Sequence, residues 1–284
     1  MYSQEITRQH RTAFVIALDQ SGSMQESVRF GKKLMSKAEA VAIIANALIT
    51  ELIDRCRRTD SLRNYYDIAV VGYANDSVEM LLGQDGMLSI DEIAKMTPQR
   101  RVFSEEEQFS EQSSAIFQHT LNEWFAPRAE GNTPMYEALL RVRDLVAEWC
   151  ARSENHQSFP PVVINITDGE ASDCDDNELR DICSQIKRIT TDDGNVLLIN
   201  IHISTDSRLP AIIFPMPDEL TGAGRYLRLL AECSSIMPSA FDGPIHDLKG
   251  QGATPPFFGV GYNASIIELL SIVNIGSRSV TNMQ

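Results

Sequence analysis

The chain lacks any apolar run able to cross a bilayer. Its most apolar helical stretch, residues 41–53, is interrupted by Asn46 and Glu51 and falls short of the ~20 apolar residues a membrane helix needs. Basic charge is scarce: 25 Lys and Arg face 39 Asp and Glu, a formal net charge of -14. Without a basic face to release counterions from phosphates, nucleic-acid binding is not expected. The five cysteines, Cys56, Cys150, Cys174, Cys183 and Cys233, are odd in number, far apart and without a C-x-x-C pair. That excludes a disulfide frame or a zinc site and reads as the reduced thiols of a cytosolic protein. Residues 1–11 are polar, carry Glu5, Arg8 and Arg11, and have neither the apolar core nor the cleavage site of a signal peptide. A cytoplasmic location with no membrane partner is the expectation. There is no P-loop and no internal repeat.

What is there is a strong alternation of buried-strand and helix patterns. Four segments, residues 12–18, 68–73, 162–166 and 196–203, have the continuous apolar character of strands buried on both faces. Between them, Ser36 and Glu39 form a capping box ahead of an apolar stripe at Ala38, Val41, Ala42, Ala45, Leu48, Ile49 and Leu52. A second helix is expected to begin at Pro134, with Met135, Ala138, Leu139, Val142, Leu145, Val146 and Trp149 as its stripe. A third is expected over residues 176–189, and a last over 264–273, before Gly276. Strands alternating with helices predict a doubly wound α/β fold, a mostly parallel central sheet flanked by helices, built as one domain over residues 1–284. Residues 84–130, with the acidic run Glu105 to Glu107, and 205–253, rich in Pro and Gly, break the alternation. They are read as insertions on the same domain.

The first strand runs into Asp19-Gln20-Ser21-Gly22-Ser23. In an open α/β sheet, ligands bind beyond the carboxyl ends of the strands where strand order reverses. This loop offers one carboxylate and two hydroxyls at alternate positions, which in extended backbone project to one side. A later strand ends in Thr167-Asp168-Gly169 and supplies a second carboxylate, while Thr133 at a helix start adds a third hydroxyl. An all-oxygen set of hydroxyls with few carboxylates suits a hard, partly hydrated ion such as Mg²⁺, with Mn²⁺ or Ca²⁺ as alternatives.

Asp19-x-Ser21-x-Ser23, Thr133 and Asp168-Gly169 resemble, in chain order and on the same elements, the metal-ion-dependent adhesion site of von Willebrand factor A (VWA) domains. The resemblance extends over residues 131–135, 159–170, 193–204 and 262–278, which look like a bacterial group of stand-alone VWA proteins. That group is similar to VWA proteins of tellurite-resistance-associated systems, often encoded near a protein kinase and a PP2C-type phosphatase. The resemblance implies a Rossmann-like VWA fold in which Ser21, Ser23 and Thr133 bind the metal directly and Asp19 and Asp168 act through waters. It further implies a protein partner whose Asp or Glu takes the open coordination position.

Other features read as structural. Glu170, Asp173, Asp175 and Asp176 lack EF-hand spacing and are read as helix caps and solvated charge. Glu105 to Glu107 reads as a solvated face. His202, inside an apolar strand, reads as a satisfied core histidine, and Trp124, Phe125 and Trp149 as packing. No His or Lys is placed by sequence near the motif segments, so the expectation is a binding module, a scaffold or adaptor, and not an enzyme. The alternatives are a partner subunit of a AAA+ ATPase and, behind it, a metal-dependent hydrolase or phosphatase. A coupling of metal coordination to movement of the last helix is a further expectation of the resemblance.

Overall fold

The continuous apolar segments become adjacent parallel strands of one sheet. The structure, a computed structural model, describes residues 2–30, 33–59, 61–83, 86–110, 113–204, 210–250, 252–264, 268 and 271–272. Eight strands form the central sheet: β1 (Thr12–Asp19), β2 (Tyr66–Ala74), β3 (Ser77–Leu82), β4 (Leu88–Ser89), β5 (Val162–Thr167), β6 (Leu197–Ile203), β7 (Ile212–Ile213) and β8 (Val260–Ala264). Their spatial order is β7-β8-β6-β5-β1-β2-β3, with β4 also on β2. The five strands β8, β6, β5, β1 and β2 run parallel, and β7, β3 and β4 add antiparallel edges. The fold is thus a mostly parallel α/β sheet flanked by helices.

Six helices of this frame are α1 (Lys37–Cys56), α2 (Ile90–Lys95), α3 (Met135–Ala151), α4 (Asp176–Arg188), α5 (Arg225–Cys233) and α6 (Asp242–Lys249). Strand alternation divides the core. Phe14, Ile16 and Leu18 of β1 pack in one cluster with Val41, Leu48 and Leu52 of α1. Ala13, Val15 and Ala17 face the other way, toward Leu139, Val142 and Val146 of α3, Ile182 and Ile186 of α4, and Leu229 of α5. Every residue of β1 and β2 is buried, which is why these strands lack the polar alternation of a one-sided sheet.

The local signals explain the helix ends. Ser36 Oγ accepts from the Glu39 amide at 3.1 Å, and Glu39 Oε2 accepts from the Ser36 amide at 3.2 Å, closing the capping box. Helix α3 begins one residue after Pro134, whose ψ of 62° lies outside the helical range. Ala264 ends strand β8 and does not open a helix. Of the last expected helix, Glu268, Ser271 and Ile272 are helical, and 265–267, 269–270 and 273 lie outside the described residues.

Both irregular stretches contribute to this frame. From 84–130, β4 joins the sheet and Gln99–Ser110 pairs with Ser113–Glu123 as an antiparallel ribbon. The acidic residues 105–107 lie on this ribbon. From 205–253, β7 pairs with β8, and Leu229 and Cys233 enter the second core cluster.

One buried polar contact anchors the far end of the sheet. Trp149, fully buried, donates from Nε1 to Asp67 Oδ2 at 2.8 Å, and Arg11 donates to Asp67 Oδ1 at 3.0 Å. Burial pushes the Asp67 carboxyl above its usual range, against the lowering effects of Trp149 and Arg11. Asp67→Ala strands the indole N–H without a partner, so a loss of about 2 kcal/mol is expected in urea unfolding at neutral pH. Asp67→Asn, which keeps an acceptor for the indole, should lose less. Equal losses would show that the indole bond is not the cause.

Candidate functional site

The chain turns from β1 to β2 on one side and to β5 on the other, so strand order reverses at the β1–β5 boundary. The carboxyl ends of these two neighbours carry Asp19 and Asp168, in the crevice where such sheets bind ligands.

Asp19 is 1% exposed. Its Oδ1 accepts from the Ser21 amide at 2.8 Å and its Oδ2 from Thr167 Oγ1 at 2.7 Å. Burial raises the Asp19 carboxyl above its usual range; the Ser21 and Thr167 bonds oppose that, and Asp168 adds to it. Negative charge on a group held in this way is costly, and a nearby cation would offset that cost. Ser21 Oγ lies 3.1 Å from Ser23 Oγ, and Ser23 Oγ donates to Asp168 Oδ1 at 2.6 Å. The Ser21 and Ser23 hydroxyls therefore lead to Asp168, and Asp19 joins them through the Ser21 amide.

Thr133 is brought to this end of the sheet by backbone bonds. Gly22 N–H donates to Gly131 O at 2.9 Å, and Glu130 N–H to Gln20 O at 2.8 Å. Thr133 N–H donates to Ser172 Oγ at 3.0 Å, while the Ser172 amide donates to Thr133 O, also at 3.0 Å. The approach depends on Gly131: its φ is +67°, and a Cβ there would fall 2.6 Å from Asn75 Cα. All five residues expected from sequence thus lie at the end of β1 or on loops tied to it and to one another.

Among the described residues, no three His, Cys, Asp or Glu side chains gather to hold a metal ion. A hard ion would have to be held here by hydroxyls, two carboxylates and water. The donor set Asp19, Ser21, Ser23 and Asp168 fits that requirement, because the two hydroxyls and Asp168 already touch and both carboxylate side chains are buried.

The structure corrects the expectation that no Lys stands near the motif segments. A lysine does reach the site: Lys37 Nζ lies 3.0 Å from Asp168 Oδ2 and 2.7 Å from Glu26 Oε2. The Lys37 side chain is 5% exposed and that of Asp168 is 0% exposed. Lys37 is the first residue of α1, directly after the cap Ser36. A cation there opposes the positive end of the helix dipole, and that misfit was the signal sequence reading could have used.

The acidic loop behaves as capping chemistry. Asp175 closes a capping box on α4 with Glu178, and Asp173 accepts from the Tyr136 and Glu137 amides at the start of α3. Glu170 and Asp176 both pair with Arg225. His202 is half-buried at the end of β6, stacked on Tyr262 at 4.8 Å and edge-on to Tyr226 at 5.6 Å. Burial lowers its pKa, while Asp168 opposes the change. Tyr226 in turn donates its hydroxyl to Gly169 O.

No helix among the described residues is long and apolar enough to cross a membrane. No family model and no curated protein matches the chain. Among solved structures, it is similar to a von Willebrand factor type A protein from Catenulispora acidiphila at a TM-score of 0.48 and 13% identity. That match covers 95% of this chain and 43% of the other. The SpRpn10 VWA domain matches at a TM-score of 0.40 and 11% identity, covering 69% and 77%. The vWF domain of the type V pili tip protein Mfa5 from Porphyromonas gingivalis matches at 0.31 and 15%, covering 57% and 39%. The chain spans less than half the length of the Catenulispora protein.

Proposed function

We propose that this chain is a divalent-metal-dependent protein-binding module of the VWA type. Ser21, Ser23 and Thr133 would hold the ion, Mg²⁺ first, directly, with Asp19 and Asp168 acting through water. Bound there, the ion supplies an electrophilic position for an Asp or Glu of a partner protein. The observation that carries the reading is the hydrogen-bonded chain from Asp19 through the Ser21 amide, and from the Ser21 and Ser23 hydroxyls to Asp168. Leaving the carboxylates one water away leaves the ion short of negative charge, which a partner carboxylate can supply. The finer reading is a cytoplasmic scaffold or adaptor in a bacterial signalling or stress system of the tellurite-resistance-associated type, with a kinase- or phosphatase-associated complex as partner. It is not read as an enzyme. The lysine beside Asp168 is buried between two carboxylates, so it is poorly placed to serve as a base.

Mg²⁺ at about a hundred times its dissociation constant should stabilise the protein by about 2.7 kcal/mol in urea unfolding. In Asp19→Ala the same addition should change nothing. A partner purified on Mg²⁺-loaded protein should elute with EDTA. Equal Mg²⁺ stabilisation of wild type and Asp19→Ala would sink the reading, as would a cognate partner retained equally in chelator.

A further inference from the structure

The buried ammonium of Lys37 is unexpected in a site that needs negative charge to hold a cation. Its placement is built by the fold. After Glu26 the chain makes an antiparallel hairpin, Ser27–Phe30 against Lys33–Ser36, whose base pairs Ser27 with Ser36. Glu26 and Lys37 flank that base. The Lys37 amide donates to Glu26 O at 2.9 Å, and the two side chains meet at 2.7 Å. From there Lys37 Nζ takes Oδ2 of Asp168, leaving Oδ1 to Ser23.

The two carboxylates at the strand ends match a divalent ion charge for charge. Lys37 upsets that match. It sits one carboxylate away from the hydroxyls that would hold the ion and already draws on the negative charge of Asp168. Glu26, 58% exposed, faces water and is screened, whereas Lys37 and Asp168 are not. The lysine also stands at the positive end of the 20-residue helix α1. Hydrogen bonding alone would not require a charge there, because an amide could occupy Oδ2 equally well.

We propose that Lys37 is a permanent counter-charge of the metal site. It holds Asp168 in register, prevents the protein from neutralising the bound ion by itself, and so weakens metal affinity while favouring an anionic partner. The inference rests on the metal-binding reading above. Its consequence is that the empty site binds ions loosely, and the complete ion–partner pair is the favoured state.

The test uses Ca²⁺ and Tb³⁺, ions of similar size and different charge, titrated as single probes by calorimetry and by Tb³⁺ luminescence. Lys37→Met removes the charge and the donor, and Lys37→Gln removes the charge but keeps a donor to Asp168. Both variants should bind Ca²⁺ about tenfold tighter than wild type and Tb³⁺ about thirtyfold tighter, because the repulsion removed scales with ion charge. A purely structural lysine would produce no such dependence on charge. Unchanged or weaker binding in variants that keep their circular dichroism spectrum overturns the counter-charge and leaves the metal site standing. Absence of ion binding in wild type and variants alike overturns the metal reading, and this inference with it. If Lys37→Met fails to fold, Lys37→Gln decides.

Discussion

Asp168→Ala is expected to destabilise the metal-free protein by about 3 kcal/mol, a large effect for a residue whose ordinary role would be to meet an ion. The reason is Lys37. With Asp168 present, its ammonium lies between two carboxylates, 3.0 Å from one and 2.7 Å from the other, and is 5% exposed. Removing Asp168 leaves a buried cation facing the exposed Glu26 carboxylate, and takes from Ser23 Oγ its 2.6 Å acceptor. A buried pair broken on one side costs more than the pair was worth, because the survivor keeps its desolvation. The double replacement Lys37→Met with Asp168→Ala should therefore recover much of the loss, giving a coupling of at least 1 kcal/mol in a double-mutant cycle. Urea unfolding in EDTA followed by circular dichroism measures it. A single-mutant loss under 0.5 kcal/mol would mean that water reaches Lys37 freely.

The reason the sequence did not reveal this contact is physical. The elements that were legible are those whose signal is local: β1, β2, β5 and β6 read as continuous apolar runs because both faces are covered, and the Ser36–Glu39 box announces α1 within four residues. The candidate positions at the ends of β1 and β5 were legible because strand ends in such a sheet converge wherever the strands are neighbours. The Lys37 contact depends instead on an antiparallel hairpin between Glu26 and Lys37 and on a partner 131 positions away. The edge strands are equally obscure. Ser77–Leu82 and Ile212–Ile213 have half-buried patterns without a clear alternation, and the first strand of the ribbon, Gln99–Ser110, is interrupted by Arg100, Arg101 and Glu105 to Glu107. At Val260–Ala264 the apolar residues continue into a helix-like run, so nothing local marks where the strand stops.

A polar device hidden inside the apolar strands bears on how the site is held in register. Two Ile-Asn-Ile triplets, centred on Asn165 and Asn200, lie side by side on β5 and β6 in exact register partnership. Tyr73 donates its hydroxyl to Asn165 Oδ1 at 2.9 Å, and Asn165 Nδ2 donates to Asn200 Oδ1 at 3.0 Å. Asn200 Nδ2 donates to Ser234 Oγ at 3.0 Å, which itself donates to Leu230 O at 2.7 Å. The chain crosses from β2 to the end of α5, and its members are all at most 4% exposed. A one-residue slip of β5 would break both links that Asn165 makes, and with them the placement of Thr167 and Asp168 opposite Asp19. Asn165→Leu, close in volume, should cost about 3 kcal/mol, since it leaves the Asn200 side-chain carbonyl without its donor and the Tyr73 hydroxyl with only the longer bond to Ile166 O at 3.3 Å. Asn200→Leu should cost a similar amount. The double variant should cost about 1–2 kcal/mol less than the sum, because the bond between the two amides can be lost only once. Strict additivity in urea unfolding would show that the two asparagines act as separate packing units and do not fix the register of the strands beneath the site.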